Sequence, residues 1–214
     1  MAEKGGSSRA KMILATLDLL RDSGLAGAGI NPIVEASGAP KGSVYHFFPA
    51  GKNQLVTAAL NEAERVVGEG FRSIFGQSAP LSQKVRALFS ATATRIEASE
   101  FTKGCPVAAV TLDLDGESEE LRAVCRGVFD TWCEIIGAGL DGVPAAQRRD
   151  AAQLILAALE GALILARATA TKDPLLQTGG LLASTFELTV ERKSDRVGRP
   201  RKPRARRERG RSRS

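Results

Sequence analysis

The sequence predicts an all-α protein of about nine helices, and three observations support this fold class. Apolar residues recur at spacings of three and four along most of the chain, which is typical of amphipathic helices. Proline and glycine clusters divide the chain into segments of helical length. Aromatic residues make up only 5% of the 214 residues, which favours closely packed helices over an aromatic-rich sandwich. No alternation of four or more residues indicates a strand.

The first three predicted helices are followed closely by turn signals. Residues 8–23 form the first helix, which ends at Gly24 and whose predicted apolar face consists of Ala10, Ile13, Leu14, Leu17 and Leu20. The second helix begins with Asn31 as its cap and Pro32 in the first helical position, and it ends near Ser37. A third helix covers residues 41–48, between two proline-containing turns.

Six further helices are predicted at about 52–75, 81–100, after Pro106, 117–140, 144–172 and 173–190. The eighth contains an apolar stretch over residues 151–166, which is too short for a membrane span and is interrupted by Gln153 and Glu160. A helix that is apolar on most faces must be buried on several sides. We therefore expect no membrane partner, and a homodimer that forms through the helices at about 144–172 and 174–190.

Charge is distributed unevenly along the chain, whose formal net charge is +6. Residues 191–214 hold 12 basic and 3 acidic residues, which leaves the first 190 residues with a net charge of −3. A strongly basic end indicates a polyanionic partner. The composition of residues 191–214 also predicts disorder, because the segment has too few apolar side chains to form a core.

Several function classes are excluded by what the chain contains. The N-terminal residues have no apolar stretch of a secretory signal, and three cysteines fit a reducing compartment, so a cytoplasmic location is expected. The single histidine, His46, excludes sites that need two histidine ligands. No glycine-rich segment follows a strand, so no nucleotide-binding loop is predicted. We expect no metal, no cofactor and no catalytic residues.

Residues 29–52 carry the most specific signal. Two short helices joined by a glycine-containing turn form a helix-turn-helix unit, whose second helix can enter the major groove of DNA. Val44 and Phe48 lie four residues apart and share the inner face, with Phe47 beside them. The residues left facing outward or sideways are Lys41, Gly42, Ser43, Tyr45 and His46.

This segment resembles the TetR family of transcriptional repressors. The likeness lies in residues 33–48, which read IVEASGAPKGSVYHFF, and continues at Pro49, Lys52 and Leu55. The Gly-Ala-Pro-Lys-Gly-Ser run and the later residues 104–107, Gly-Cys-Pro-Val, look like the LmrA/YxaF-type branch of that family. The resemblance implies a DNA-binding domain over residues 1–52 and an effector-binding and dimerisation domain over 53–190. The charge distribution adds a basic tail over 191–214.

The resemblance also implies roles for single residues. Lys52 and the Tyr45 hydroxyl are expected to contact DNA phosphates. Lys41, Ser43 and His46 are candidates for contacts with base edges, and Gly42 permits close approach of the backbone. Asn31 joins this set because it stands in for the capping Ser or Thr that the family usually has. Phe47 replaces a commonly polar residue, and it either reaches the DNA or packs inward.

A ligand-responsive repressor of this kind binds a palindromic operator as a homodimer, with the two reading helices about 34 Å apart. A small, largely apolar or aromatic effector is expected to release it. The candidates for lining the effector pocket are Phe89, Cys105, Leu112, Phe129 and Trp132.

The basic tail leaves an alternative open. Residues 196–202, Arg-Val-Gly-Arg-Pro-Arg-Lys, resemble an AT-hook, in which Arg199, Arg201 and Lys202 would lie in a narrow minor groove. The alternative function is therefore an architectural protein that binds A·T-rich DNA through this tail. A further alternative gives Cys105 a role as a redox sensor or as the nucleophile of a small helical enzyme.

Overall fold

The structure is a computed structural model that describes the backbone of residues 2–114 and 119–198, and the side chains of residues 8–114 and 119–187. Its helices are α1 (Ala2–Gly27), α2 (Ile30–Ser37), α3 (Lys41–Phe47), α4 (Lys52–Phe75), α5 (Leu81–Ala98), α6 (Pro106–Leu112), α7 (Glu119–Ala138), α8 (Ala145–Thr169) and α9 (Asp173–Gly198). These described ranges contain no strand, and the predicted all-α fold class is confirmed.

α2 begins two residues earlier than the sequence suggested. Gly29 has the extended conformation of an N-cap (φ −75°, ψ 160°), and its carbonyl accepts from the N–H of Ile33 at 3.0 Å. The prediction that Asn31 caps this helix is therefore wrong, because Gly29 already occupies the capping position. Gly38 ends α2 with a left-handed backbone (φ 62°), a conformation that favours glycine, and turns the chain towards α3.

α1 differs from its prediction in length and in the face that it buries. Gly24 interrupts it with a positive φ of 69°, as expected, but the helix continues to Gly27. Met12 and Thr16 are fully buried, whereas Leu14 is 54% exposed. The Thr16 hydroxyl donates to the Met12 carbonyl at 2.8 Å, and this bond removes the cost of burying a polar group.

α4 to α9 form the larger part of the molecule. α5 packs along α9, α4 packs along α7, and α8 contacts both α7 and α9. One continuous apolar core joins these helices to α1–α3, and its largest fully buried side chains include Trp132, Phe75 and Phe89. The observed bounds of α4 match the predicted range of 52–75.

A lysine lies inside this part of the core. Lys84 on α5 is only 2% exposed, and its ammonium donates to the carbonyls of Phe75 and Gly139, each at 3.0 Å, and to the Asp141 carboxylate at 2.8 Å. Three acceptors match the three donors of the ammonium, so its burial leaves no donor unpaired. Lys84 thereby fastens the end of α4 to the loop after α7.

α9 extends into the segment 191–214, for which the sequence predicts disorder. α9 continues through residues 191–198. Extending an existing helix avoids the cost of nucleation, and the Glu, Arg and Lys residues that begin this segment are good helix formers. The remaining residues of the tail, including Arg199, Arg201 and Lys202, lie outside the described residues.

Candidate nucleic-acid interface and interior cavities

The outer surface of α3 is polar and accessible. Lys41, Gly42, Tyr45 and His46 are exposed, Tyr45 to 56% of its surface, and we call these four residues the α3 face. Ser43, which was predicted with them, is half-buried at the edge of this face. The sequence predicted that these five residues face outward or sideways, and the structure shows four of them exposed and Ser43 half-buried.

The opposite side of α3 anchors it to the core. Val44 is fully buried and Phe48 is 1% exposed, and they belong to the same apolar cluster as Ile13, Leu17 and Ile33, as the spacing predicted. Because α3 has only seven residues, these contacts rather than its own hydrogen bonds fix its orientation.

Two aromatic contacts complete this anchoring. The guanidinium of Arg9 lies 5.4 Å from the centre of the Phe48 ring, within the range of a cation–π interaction. Phe47 is half-buried against the core, and its ring meets the His46 ring edge to face at 4.8 Å. Of the two alternatives for Phe47, the structure thus favours inward packing.

Lys52 and Asp113 tie the end of α1 to two other helices. The Lys52 ammonium at the start of α4 donates to the Leu25 carbonyl at 2.7 Å, and the Leu25 N–H donates to the Asp113 carboxylate after α6 at 2.7 Å. We call this arrangement the Leu25 tie. Within the described residues, the bond to the Leu25 carbonyl is the one hydrogen bond of the Lys52 ammonium, so two of its N–H groups remain for another partner. The tie connects α4 and the end of α6 directly to α1.

The remaining member of the predicted DNA-binding set is Asn31. It lies in the first turn of α2 and its side chain is exposed. Its position is therefore accessible, although it does not cap the helix.

A first cavity of about 140 Å³ lies between α1, α4, α5, the start of α6, α7 and α8. Two of the predicted pocket residues, Cys105 and Trp132, line it. Its wall also contains four charged residues that the prediction missed: Arg21, Arg95, Lys103 and Glu160. Only Glu160 gave a signal in the sequence, as an acidic residue within an apolar stretch.

A second cavity of about 470 Å³ lies on the other side of Glu160, which lines both. Phe129, the third predicted pocket residue, lines this second cavity together with Cys125 and Cys133. The predicted residues are therefore divided between two spaces.

Phe89 and Leu112, the other two residues predicted to line the effector pocket, line neither of these two cavities. Phe89 is 1% exposed and packs tightly against Gly179 of α9, where a Cβ atom would meet the Phe89 ring. Leu112 is 77% exposed at the end of α6 and lines neither cavity. An apolar residue type alone does not distinguish a cavity wall from a helix contact or an exposed position.

Cys105 and Glu160 face each other in the first cavity. Burial, and secondarily the Glu160 carboxylate, raise the pKa of the Cys105 thiol well above its ordinary value. Burial also raises the pKa of Glu160, although its contact with Cys105 opposes this shift. A thiol with a raised pKa holds little thiolate at neutral pH, which argues against Cys105 as a nucleophile or a rapid redox sensor.

α8 has two apolar faces. One packs into the core through residues such as Ala152, Ile155 and Ala166. On the other face, the exposed residues that share one side of the helix are Leu154, Ala157, Gly161, Ile164, Leu165 and Ala168. On α9, Leu176 and Leu181 are also exposed, to 44% and 74%. We call these exposed residues of α8 and α9 the α8–α9 face.

By length and composition, α8 is the one helix within the described ranges that could cross a membrane, with a mean hydropathy of 1.6 in its most apolar window. The core contacts of its inner face, and the polar Glu160 near its middle, fit a helix packed within a protein. In the part of the chain that the structure describes, no group of three His, Cys, Asp or Glu residues could hold a metal ion.

Two family models match the chain. Residues 13–59 match the model of bacterial regulatory proteins of the tetR family, and residues 82–180 match the C-terminal domain of LmrA/YxaF-like transcriptional regulators. The HTH-type transcriptional regulator YxaF of Bacillus subtilis is 31% identical over 190 residues, which cover 88% of this chain and 97% of YxaF.

Solved structures share the fold. A regulatory protein TetR from Rhodobacter sphaeroides superposes with a TM-score of 0.75 at 21% identity, over 83% of this chain and 97% of that one. A cysteine mutant of the TetR family regulator CifR, in complex with 26-bp double-strand operator DNA, superposes with a TM-score of 0.71 at 20% identity, over 82% and 94% of the two chains.

Proposed function

Because the chain belongs to the TetR family of bacterial transcriptional regulators, with an LmrA/YxaF-like C-terminal domain, we propose that it is a ligand-responsive repressor that binds a palindromic operator as a homodimer. The members of this family are DNA-binding regulators of transcription and not enzymes. The repressor role, the effector and the operator symmetry are the parts that we add. We place its action in the cytoplasm.

The observation that carries this proposal is the α3 face on its apolar base. A short helix that is held from behind by Val44 and Phe48 presents Lys41, Tyr45 and His46 outward. Such a helix fits the major groove of B-DNA, where lysine pairs with guanine O6 and N7. No atom lies within 4 Å of a Cβ placed on Gly42, so this position leaves room for close approach of the duplex.

The individual roles follow from these positions. Lys41, Ser43 and His46 contact base edges, while the Tyr45 hydroxyl and Lys52 contact phosphates. Lys52 can do so with the donors that the Leu25 carbonyl leaves unused. Asn31, exposed in the first turn of α2, lies on the same part of the molecule and adds a polar contact.

The α8–α9 face supports the homodimer. Exposed apolar side chains on two helices that pack together are typical of a protein–protein interface. A second copy of the chain that covers this face with its own α8 and α9 generates a two-fold axis, and this axis orients the two α3 faces towards one duplex. An operator with two half-sites one helical turn apart follows from this symmetry.

The domain division gives a route for release. We assign DNA binding to residues 1–52, and effector binding and dimerisation to residues 53–190. The Leu25 tie joins the two at Lys52 and Asp113. An effector that favours one arrangement of α4 and α6 changes the position of the α3 face. Ligand and DNA then prefer different states of the protein, so the effector weakens DNA binding.

The test is a selection of binding sites from random duplex DNA with the full chain. We expect a symmetric consensus of two half-sites, and Lys41→Ala weakens binding by about 1–3 kcal/mol and relaxes base preference within each half-site. Lys172→Ala is the control, because this lysine pairs with Glu97 outside residues 1–52. It should leave DNA binding unchanged.

An A·T-rich consensus without symmetry would overturn the repressor proposal and favour the architectural alternative based on the tail.

A further inference from the structure

The first cavity combines an apolar interior with a basic rim. Its apolar wall consists of Val67, Phe71, Ile96, Trp132, Leu159 and Leu163. Arg21 from α1, Arg95 from α5 and Lys103 from the loop before α6 lie at its edge. A purely apolar ligand would contact the apolar wall and give these three cations no binding partner in the cavity.

The cations at this rim outnumber the carboxylates available to them. Arg21, whose side chain is 24% exposed, has Asp18 as its ion-pair partner at 4.0 Å. The same Asp18 carboxylate is closer to Lys103, at 3.0 Å. Arg95 forms no ion pair with any other side chain in the described ranges. One carboxylate therefore serves two cations, and the third has none.

The two guanidinium groups also act on each other. The pKa of Arg21 is lowered, mainly because its guanidinium is buried. Asp18 opposes this shift, and repulsion from Arg95 adds to it. Glu160 does not relieve this excess, since burial raises its pKa and favours its neutral form. Arg21 is thus a partly desolvated cation beside the exposed Arg95, and both line the open space of the cavity.

We propose that the first cavity binds a small monocarboxylic acid, with its carboxylate between Arg21 and Arg95 and its apolar body against Phe71 and Trp132. This inference rests on the proposed function, because it specifies the effector of the same cavity. It also revises the expectation of a largely apolar ligand, since the anionic group is now essential. Arginine is suited to this role because its planar fork binds a carboxylate through two parallel hydrogen bonds.

The size of the cavity limits the acid. Its volume of about 140 Å³ is close to the roughly 150 Å³ of an apolar protein cavity that holds benzene. A single ring or a short branched chain fits, and a polycyclic compound does not unless the cavity widens. Benzoate has the required size, charge and apolar surface.

Binding of the acid would act on the DNA-binding part of the chain. Arg21 belongs to α1, and its carbonyl accepts from the Gly104 N–H at 2.8 Å, next to Cys105. A carboxylate that bridges Arg21 and Arg95 replaces repulsion between α1 and α5 with attraction. The Leu25 tie lies four residues further along α1, so a shift of Arg21 is transmitted towards α4 and α6.

The experiment measures binding of benzoate and of its neutral analogue benzamide to the full chain by calorimetry and thermal unfolding. We expect benzoate to bind and to raise the melting temperature, and benzamide to bind at least tenfold more weakly. Arg95→Gln weakens benzoate binding at least tenfold. Arg86→Gln, which removes the same charge from the exposed side of α5, leaves it unchanged.

Equal binding of the two compounds, equal effects of Arg95→Gln and Arg86→Gln, or no benzoate binding at millimolar concentration would overturn this inference. Operator binding by the same proteins distinguishes it from the proposed function. A protein that binds its operator and is released equally by benzamide remains a repressor without an acid site. A protein that binds benzoate through Arg95 but has no operator retains the acid site and loses the repressor role.

Discussion

Lys41 on the α3 face and Arg21 at the first cavity are both basic, but their surroundings are opposite. Lys41 extends from a seven-residue helix into solvent. Arg21 lies largely buried, beside an aromatic wall and a second guanidinium. Exposed charges act on a large polyanion and are screened by salt, whereas enclosed charges act strongly on a small anion. If both proposals hold, burial rather than charge alone decides which partner a cation selects.

The largest effect is expected from removing the base of the α3 face. Phe48→Ala deletes an almost fully buried ring that packs on α1–α3 and contacts Arg9. We expect it to reduce the free energy of unfolding by about 3–5 kcal/mol and to abolish operator binding. Denaturant unfolding measures the first effect and a DNA-binding assay the second.

Leu112→Ala is the control for this substitution, because it truncates an apolar side chain that is 77% exposed. It should change stability by less than about 0.5 kcal/mol. A similar loss in both variants would contradict the view that the α3 face depends on its buried base.

A smaller loss of stability is expected at Lys84, the buried cation whose three N–H donors are all paired within the protein. Lys84→Ala leaves the buried carbonyls of Phe75 and Gly139 without their donor, and we expect a cost of about 2–4 kcal/mol in denaturant unfolding. Asp141→Asn, which changes only the exposed carboxylate of the set, should cost clearly less. Equal losses would mean that the ion pair, rather than the two carbonyl contacts, holds Lys84.

The smallest effect concerns the pH dependence of stability. Because the pKa of Glu160 is raised in the folded chain, the folded state holds its proton at a pH where the unfolded state has lost it. Stability should therefore fall as the pH rises from about 4.5 through the raised pKa, and level off above it. Glu160→Gln should remove this part of the slope in unfolding measurements at several pH values.

An unchanged slope in the Glu160→Gln variant would mean that other groups cause it. Cys105 faces Glu160 directly, so Cys105→Ser, which leaves the carboxyl in place, is the matched control and should retain the slope.

The sequence predicted the DNA-binding part well because its signals are local. The spacing of Val44 and Phe48, the turn at Gly38 and the interruptions at Pro40 and Pro49 all lie within some 15 residues of one another. These positions specify short helices and their inner faces without reference to the rest of the chain. The structure changed the start and cap of α2, the length of α1 and the face that α1 buries, but it kept the short helices and the inner face of α3.

The cavity could not be predicted in the same way, because its residues come from helices that are distant in the sequence. Arg21 and Arg95 are 74 positions apart and line the same cavity only after the chain has folded. Phe89 lines neither cavity because α9 covers it, and contact with Gly179 depends on the packing of α5 against α9. The excess of basic side chains around the first cavity arises only when the chain folds, and no local pattern in the sequence indicates it.

The account depends most on the pairing of two chains through the α8–α9 face, which aims both α3 faces at one duplex. Sedimentation equilibrium of the full chain, alone and with its selected operator, tests this most directly. We predict twice the chain mass of 22.6 kDa in solution and two chains per operator. Leu165→Lys, which places a charge on the exposed part of that face, should yield a monomer with weakened operator binding. A wild-type monomer, or a Leu165→Lys dimer with full operator affinity, would contradict the account.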